Sequence, residues 1–454
     1  MFFKLKPIIV TCSIAIAFCL QTQTGFGQAK VQDISKELWS KLPKGYDFYD
    51  CGFGPNIGNQ TFSWNCVMES ASEKGSKTSV PFFWHLAINE KGNLGNGLIG
   101  RYPGVPPFAF GSKTTLLVQN DNGAVSALDL PASSTAQVVQ LHPLWQYVIP
   151  KNDIPEIHLS VSHTVSTNDG GYVLLIEDMS KAAAENTRDD FTVVQVTDQG
   201  KEAWRYDHIT PLPRGFTVGD LNDEGRLFKD FFITSNHKTV LYGQAFEAAD
   251  SKGTFVVCLD SKGQKISEEF FPDSHWTQSF NWDDKGFGFV SILYDETTST
   301  DVPTLNLFDK NCQKLLDQPF NISKHGFKGS VYNEIIATGL SSKGDLLLVY
   351  NQHEHLPEGA DADAPPPNLY LTVINSKGGV AQDIAILKGQ DADKLYLESF
   401  TSVAGHNPLK VTLANLPQSN EVLISIHNMG TDPKAYPEEK ADFWLPRIYK
   451  VKLS

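Results

Sequence analysis

Hydrophobic residues along this chain fall in short runs separated by turn residues, and the runs repeat one phrase. In 167–208, Asn168-Asp169-Gly170-Gly171 precedes the apolar run Tyr172–Ile176. A polar stretch follows, then Phe191–Val196, the turn Asp198-Gln199-Gly200, and a run closing on Trp204 and Tyr206. Glycine stands where positive φ is needed, and β-branched or aromatic residues occupy the pleat. The pattern predicts strand, loop, strand, turn, strand. Counterparts of Phe191–Val196 are Phe83–Ile88, Gln137–Leu141, Thr254–Leu259, Thr304–Phe308, Leu369–Ile374 and Arg447–Lys452, with starts 54, 54, 63, 50, 65 and 78 residues apart. Four of them lead into an Asn- or Asp-containing turn that ends on Gly: Asn89–Gly92, Thr197–Gly200, Asp260–Gly263 and Asn375–Gly378. Asp309-Lys310-Asn311 is of the same kind without the Gly. In the second unit the turn shrinks to His142-Pro143, and Trp145 takes the place of Trp204.

Most of these runs follow another strand that opens at a turn: Gly171–Ile176, Lys238–Tyr242, Gly286–Val290, Asp345–Tyr350 and Glu421–Ile426. Upstream lie alternating runs such as Ile157, Leu159, Val161, His163 and Val165, or Val411, Leu413 and Leu416. Each unit therefore reads as four short antiparallel strands. Sheets of this size at such a period predict an all-β chain, a seven-bladed β-propeller whose blades bury both faces against their neighbours. The last unit stops after its third strand at Ser454. Lys36-Glu37-Leu38-Trp39 resembles Lys201-Glu202-Ala203-Trp204, so residues 34–42 are expected to complete the last blade as an N-terminal strand covering an open edge. Ile34, Leu38 and Leu42 also fall at i, i+4 and i+8, and a short helix is the other reading.

Repeat phrases such as Thr167–Tyr172 and Val196–Trp204 resemble those of secreted bacterial β-propeller repeat proteins, the broad group with WD40-like and quinoprotein-like blades. The resemblance implies blade geometry and no particular chemistry. The Trp-Asp dipeptide of WD40 blades does not recur at the blade ends, which departs from that pattern.

The N-terminus changes the picture of where the protein works. Lys4 and Lys6, the apolar segment Pro7–Leu20 and the small residues Gly25 and Gly27 read as a signal peptide, 1–27, cut near Gly27–Gln28. About fourteen residues are short for a membrane span. Residues 28–454 are expected to form a single propeller domain, secreted or periplasmic, with no membrane span. Of 38 Lys and Arg against 52 Asp and Glu, cleavage leaves 36 basic residues, a net charge near −16. Such a surface repels phosphate backbones and excludes nucleic acid as a partner. Cys51 and Cys66 lie equally far from the turn Gly58-Asn59, so they oppose each other on a hairpin and are expected to form a disulfide. Cys258, in a buried strand, and Cys312, in a turn, are expected to be unpaired.

Candidate chemistry is sparse. The long connections Glu69–Pro81, Asp178–Asp190, Asp295–Pro303, Gln352–Pro367 and Asn428–Pro446 share one face, where binding residues commonly sit. The last carries Tyr436, Phe443 and Trp444, a ligand-contact patch or a loop folded onto its own blade. His353-Glu354-His355 with Glu358, Asp361 and Asp363 is a metal candidate, because imidazole with carboxylate suits zinc or another transition ion. A plain solvated loop before Pro365-Pro366-Pro367 is the alternative. Asp220–Gly225 begins like a calcium loop, but Phe231 stands where a bidentate Glu belongs, which favours a simple turn. There is no nucleophile elbow, zinc-protease helix, Cys-x-x-Cys pair or phosphate loop. The residues therefore point to binding of a protein or glycan on the loop-rich face, with no catalytic residue or cofactor identifiable. A carbohydrate-active enzyme with an acid/base site at the central channel is the competing reading.

Overall fold

The computed structural model describes residues 30–54, 61–70, 82–101, 109–110, 115–119, 124–129, 138–149, 159–167, 169–178, 191–208, 228–234, 236–247, 250–272, 276–282, 285–295, 300–315, 317–323, 325, 331–354, 368–375, 377–387, 409–416, 418–428 and 445–454. Their strands form seven sheets, numbered here in chain order. Sheet 1 holds Tyr46–Phe53, Thr61–Ser70, Phe82–Asn89 and Leu94–Arg101; sheet 2 holds Ala109–Phe110, Thr115–Gln119, Val125–Asp129 and Pro143–Tyr147. Sheet 3 holds Leu159–Ser166, Tyr172–Asp178, Phe191–Val196 and Glu202–His208, and sheet 4 holds Phe228–Ile233, Thr239–Glu247, Asp250–Leu259 and Lys265–Pro272. Sheet 5 holds Trp276–Asn281, Phe287–Asp295, Thr300–Phe308 and Gln318–Pro319; sheet 6 holds Val331–Leu340, Leu346–Glu354, Asn368–Ile374 and Val380–Leu387. Sheet 7 joins Leu409–Leu416, Glu421–Asn428 and Arg447–Lys452 to the N-terminal Lys30–Asp33.

The arrangement is a β-propeller of four-stranded antiparallel blades. First strands of successive sheets lie side by side from sheet 2 to sheet 7, and sheet 7 lies beside sheet 1. Second strands run through the middle of each sheet and are apolar on both faces. In sheet 6, Leu347 and Val349 pack against Val422, Ile424 and Ile426 of sheet 7, while Leu346, Leu348 and Tyr350 face Phe280, Val290 and Leu305 of sheet 5. That two-sided burial is why these strands read as continuous runs. Each fully buried Leu or Val contributes about 1.5–3 kcal/mol, and comparable clusters fill the gaps between sheets 1 and 2, 2 and 3, 3 and 4, 4 and 5, and 7 and 1.

Three expectations are corrected. Six blades are four-stranded, not seven; sheet 1 has five strands. Its extra strand is Val139–Gln140, the core of the second repeat phrase, which runs parallel to Gly100 and Arg101 at the edge of sheet 1. The third strand of sheet 2 is instead Val125–Asp129, and Pro143 opens its fourth strand. The cause is packing: Leu141 joins Val67, Phe83 and Leu128 in the core between sheets 1 and 2. Finally, residues 34–42 supply no strand. Ser35–Lys41 is a helix with Ile34 at its N-cap, and the Asp33 carboxylate just before it accepts the Ser35 N–H at 2.8 Å. The partner of Arg447–Lys452 lies just upstream, with Lys30 opposite Lys452 and Asp33 opposite Tyr449. Ile34 and Leu38 are buried between sheets 7 and 1, and Trp39 donates to the Pro446 carbonyl at 2.7 Å.

At one end of the blades a single turn recurs in sheets 1, 3, 4, 5 and 6. Asn89, Asp260, Asp309 and Asn375 each accept two backbone N–H groups, from residues i+2 and i+4, through Oδ1 at 2.8–3.2 Å. Thr197 does the same through its hydroxyl. The fourth residue closes the turn at positive φ: 76° at Gly92, 77° at Gly200, 75° at Gly263, 78° at Gly378, and 67° at Cys312. The spacing of Asn or Asp before Gly thus encodes side-chain acceptor and left-handed backbone together.

Candidate functional site

The opposite end carries the long connections. Between second and third strands the chain runs from Ser70 to Phe82, from Asp178 to Phe191, from Glu354 to Asn368 and from Asn428 to Arg447. Toward this end the second strands exchange apolar for polar residues while staying buried. In sheet 6, Leu346–Val349 gives way to Tyr350, Asn351 and Gln352; in sheet 7, Val422–Ile424 gives way to Ser425 and His427; in sheet 5, Ser291 follows Val290. Burying a polar group is costly unless it is hydrogen-bonded, and most of these are. Gln352 donates to the Ser323 carbonyl and to Asn333, at 2.9 and 2.8 Å. Ser425 accepts the Trp64 indole N–H at 2.8 Å. Asn351 has no partner on either amide atom among the described residues.

A buried polar cluster sits where the connection from sheet 5 meets sheet 6. Asp383, on the fourth strand of sheet 6, accepts hydrogen bonds from Tyr350 and Thr372 on one carboxylate oxygen, both at 2.8 Å. Its other oxygen lies 3.0 Å from His325 Nε2, and that nitrogen is also 2.8 Å from the Tyr350 hydroxyl. The His325 ring stacks on Tyr370 with centroids 3.7 Å apart and planes 8° from parallel. Burial first, then the Asp383 charge, holds the Tyr350 phenol far above its ordinary value, and the same causes push Tyr370 up to about 12. Both phenols are therefore neutral, and Tyr350 donates to Asp383. His325 belongs to the connection from sheet 5 to sheet 6, so the cluster ties that crossing to the blade it enters. It stands on strands two to four, whereas the first strands adjoin one another at the axis. Nothing in sequence spacing marks it: folding alone brings His325 to Asp383.

A second polar group spans sheets 7 and 1 around the disulfide. Cys51 and Cys66 are bridged with Cα atoms 4.2 Å apart, as their symmetric spacing about Gly58-Asn59 predicts. Gly52 pairs with Asn65 and Phe53 with Trp64, and the register shifts between Tyr49 and Gly52. The Cys51 N–H donates to His427 Nδ1 at 3.3 Å, and the Phe53 N–H to the Thr412 hydroxyl at 2.9 Å. Nearby, Asn65 donates to Ser63 Oγ at 2.9 Å, leaving its carbonyl oxygen to accept from His85 Nδ1 at 2.7 Å. Burial lowers the His85 imidazole to about 4, so it is neutral.

Of the residues singled out from sequence, only part is placed. The main chain of His353 pairs with Tyr332 near the end of the second strand of sheet 6. His355, Glu358, Asp361 and Asp363 lie outside the described residues, as do Tyr436, Phe443 and Trp444. No group of three or more His, Cys, Asp or Glu able to hold a metal occurs among the described residues. Phe231, at the twelfth position of the calcium-like segment, is buried in the core between sheets 3 and 4. No helix among the described residues is long and apolar enough to cross a membrane.

No protein-family model matches this chain, and no curated protein does. Among solved structures it is similar to a protein of unknown function from Dyadobacter fermentans, at 10% identity and a TM-score of 0.42, covering 93% of this chain and 99% of that one. It is also similar to the WD40 domain of Toxoplasma gondii coronin, at 6% identity and a TM-score of 0.42, over 94% and 87% of the two chains. A third is the Dos1 propeller, at 11% identity and a TM-score of 0.40, over 91% and 97%. Likeness this distant says nothing about activity, and the propeller arrangement stands on the chain's own sheets.

Proposed function

We propose that the chain is an exported seven-bladed propeller, latched by its N-terminal strand, that binds a protein or glycan on the face bearing the long connections. The carrying observation is the difference between the two ends. One end repeats a compact turn whose Asn or Asp side chain is bonded to its own backbone; the other receives the long segments and the buried polar layer of Asn351, Gln352, Ser425 and His427. A rigid scaffold with one variable face is the usual form of a binding propeller. Closure into one ring is supported by a hydrophobic cluster in each of the seven gaps between neighbouring sheets. Export, with residues 1–27 as the cleaved signal and 28–454 as one domain, is supported by the Cys51–Cys66 disulfide. The segment holding Tyr436, Phe443 and Trp444 is the proposed contact patch, and His353, His355, Asp361 and Asp363 the proposed metal site.

The competing enzyme needs acid and base groups at the channel. The His325–Tyr350–Asp383 network is displaced from the axis and engaged in holding a crossing segment, so it lends that reading no support. The test is a screen of purified 28–454 against glycan and protein arrays, for both binding and turnover. The triple variant Y436A/F443A/W444A should weaken any ligand found at least tenfold, while K262E, on the turn end, should not. Ligand lost in K262E and kept in the triple variant overturns the proposal.

A further inference from the structure

The structure brings together two cysteines that lie far apart in sequence. Cys258 is in the third strand of sheet 4, paired with Val240 and Ser267. Cys312 ends the turn after the third strand of sheet 5. Both side chains are buried, at 1% and 2% exposure, in one cluster with Val240, Tyr242, Phe287, Phe289 and Phe308. Both are free in the structure, as expected from the sequence, and the Cys312 thiol and burial push the Cys258 thiol up. The turn carrying Cys312 is docked on sheet 4 by Asn236 and Lys238, which both donate to the Lys310 carbonyl.

The identity of residue 312 is unusual for its place. Four sister turns have Gly there, with φ of 75–78°, and Cys312 holds the same left-handed backbone at 67°. A residue with a β-carbon is strained in that region. In exchange the position gains a buried thiol in the cluster shared with sheet 4.

We propose that Cys258 and Cys312 are oxidised to a second disulfide during folding, covalently joining sheet 4 to sheet 5. The hydrogen bond from Cys258, aided by Lys238, holds the Cys312 thiol below its ordinary value, so Cys312 is the better thiolate. It attacks a disulfide oxidant, either glutathione disulfide or a protein disulfide, and releases one oxidant sulfur as a thiolate. Cys258, deprotonated in turn, attacks the mixed disulfide and expels the second oxidant sulfur. Two thiols lose two protons and two electrons, and the oxidant leaves as two thiols. Because the closed interface buries both sulfurs, the exchange takes place as sheets 4 and 5 come together, when the Cys312 thiol lies beside Cys258 and Lys238 but is still open to the oxidant.

The inference rests on the export reading only for the source of oxidant, so its test uses purified protein. Reduced 28–454 is refolded in a glutathione redox buffer, free thiols are blocked with N-ethylmaleimide under denaturing conditions, and the chain is digested with trypsin without reduction. The expected product links peptide 253–262 to peptide 311–314, beside the Cys51–Cys66 link that reports an oxidising refold. In C312G, which carries the residue of the sister turns, Cys258 should be quantitatively alkylated. A refold with Cys51–Cys66 bridged but both Cys258 and Cys312 alkylated overturns the proposal and leaves the binding reading intact.

Discussion

The indole of Trp145 lies against Gly200 of the next sheet: a β-carbon on Gly200 would stand 2.9 Å from the Trp145 Cβ, Cδ2 and Cε3 atoms. Trp204 covers Gly263 of the following sheet in the same way, with 2.6 Å from such a carbon to Cδ2. The repeated Trp of the fourth strand and the repeated Gly of the turn are thus one contact, made between successive blades. Each Gly is needed twice, for its φ of 77° or 75° and for the space its missing side chain leaves. Gly344 has the same backbone, φ 75°, with nothing within 4 Å.

That difference is measurable. Gly344→Ala should cost about 1 kcal/mol, the left-handed penalty alone. Gly200→Ala and Gly263→Ala should cost a further 1–3 kcal/mol from overpacking against the indole. Urea unfolding midpoints of the three variants give the ranking; equal losses would mean that the Trp contact is unimportant.

The cluster at Asp383 should behave as a latch. Asp383→Ala leaves the Tyr350 and Thr372 hydroxyls without their acceptor and should cost about 2 kcal/mol. Tyr350→Phe should cost about 1 kcal/mol. In a double-mutant cycle the pair should lose less than the sum of the singles, since each single removes the same bond. Strict additivity, read from denaturant unfolding, would show that the two side chains act independently.

How far the sequence reached follows from how local each signal was. Turns such as Asp260–Gly263 were legible because acceptor and left-handed residue are three positions apart. Third strands such as Phe191–Val196 were legible because both faces are buried. Sheet 2 was not: Thr115–Gln119 and Val125–Asp129 are short, and the apolar run ending at Leu141 fills the core with sheet 1 instead of its own blade. At the N-terminus the helical spacing of Ile34, Leu38 and Leu42 outweighed the likeness of Lys36–Trp39 to a fourth strand. The Cys51–Cys66 bridge was read from hairpin symmetry, whereas His325 and Asp383 meet only through packing of the crossing segment onto sheet 6.

Acid should weaken the protein through His85. Burial depresses its imidazole to about 4, against 6.5 when unfolded. Between those values the unfolded chain binds a proton that the folded chain does not, so stability falls as pH drops through 6.5 toward 4. The loss should be on the order of 2 kcal/mol across that window. His85→Gln keeps a donor for the Asn65 carbonyl and has no charge to gain. The stability gap between the native chain and H85Q should therefore shift toward the variant as pH falls from 7 to 4.5; a gap constant with pH, measured by urea unfolding, would rule out His85 as the source.

Closure of sheet 7 should separate into two contributions. Lys30–Asp33 covers the edge of Arg447–Lys452, while the helix Ser35–Lys41 plugs the gap between sheets 7 and 1 with Leu38. Leu38→Ala removes fully buried carbon and should cost 2–5 kcal/mol, by the usual cost of emptying a core site. It should leave the association state of the folded protein unchanged, because no backbone group is exposed. Deleting residues 28–33 instead uncovers a row of unpaired N–H and C=O groups, the kind of edge that recruits another strand. That variant should associate in light scattering at concentrations where L38A does not. If the truncated chain stayed monomeric and L38A associated, the helix and not the strand would be what seals the blade.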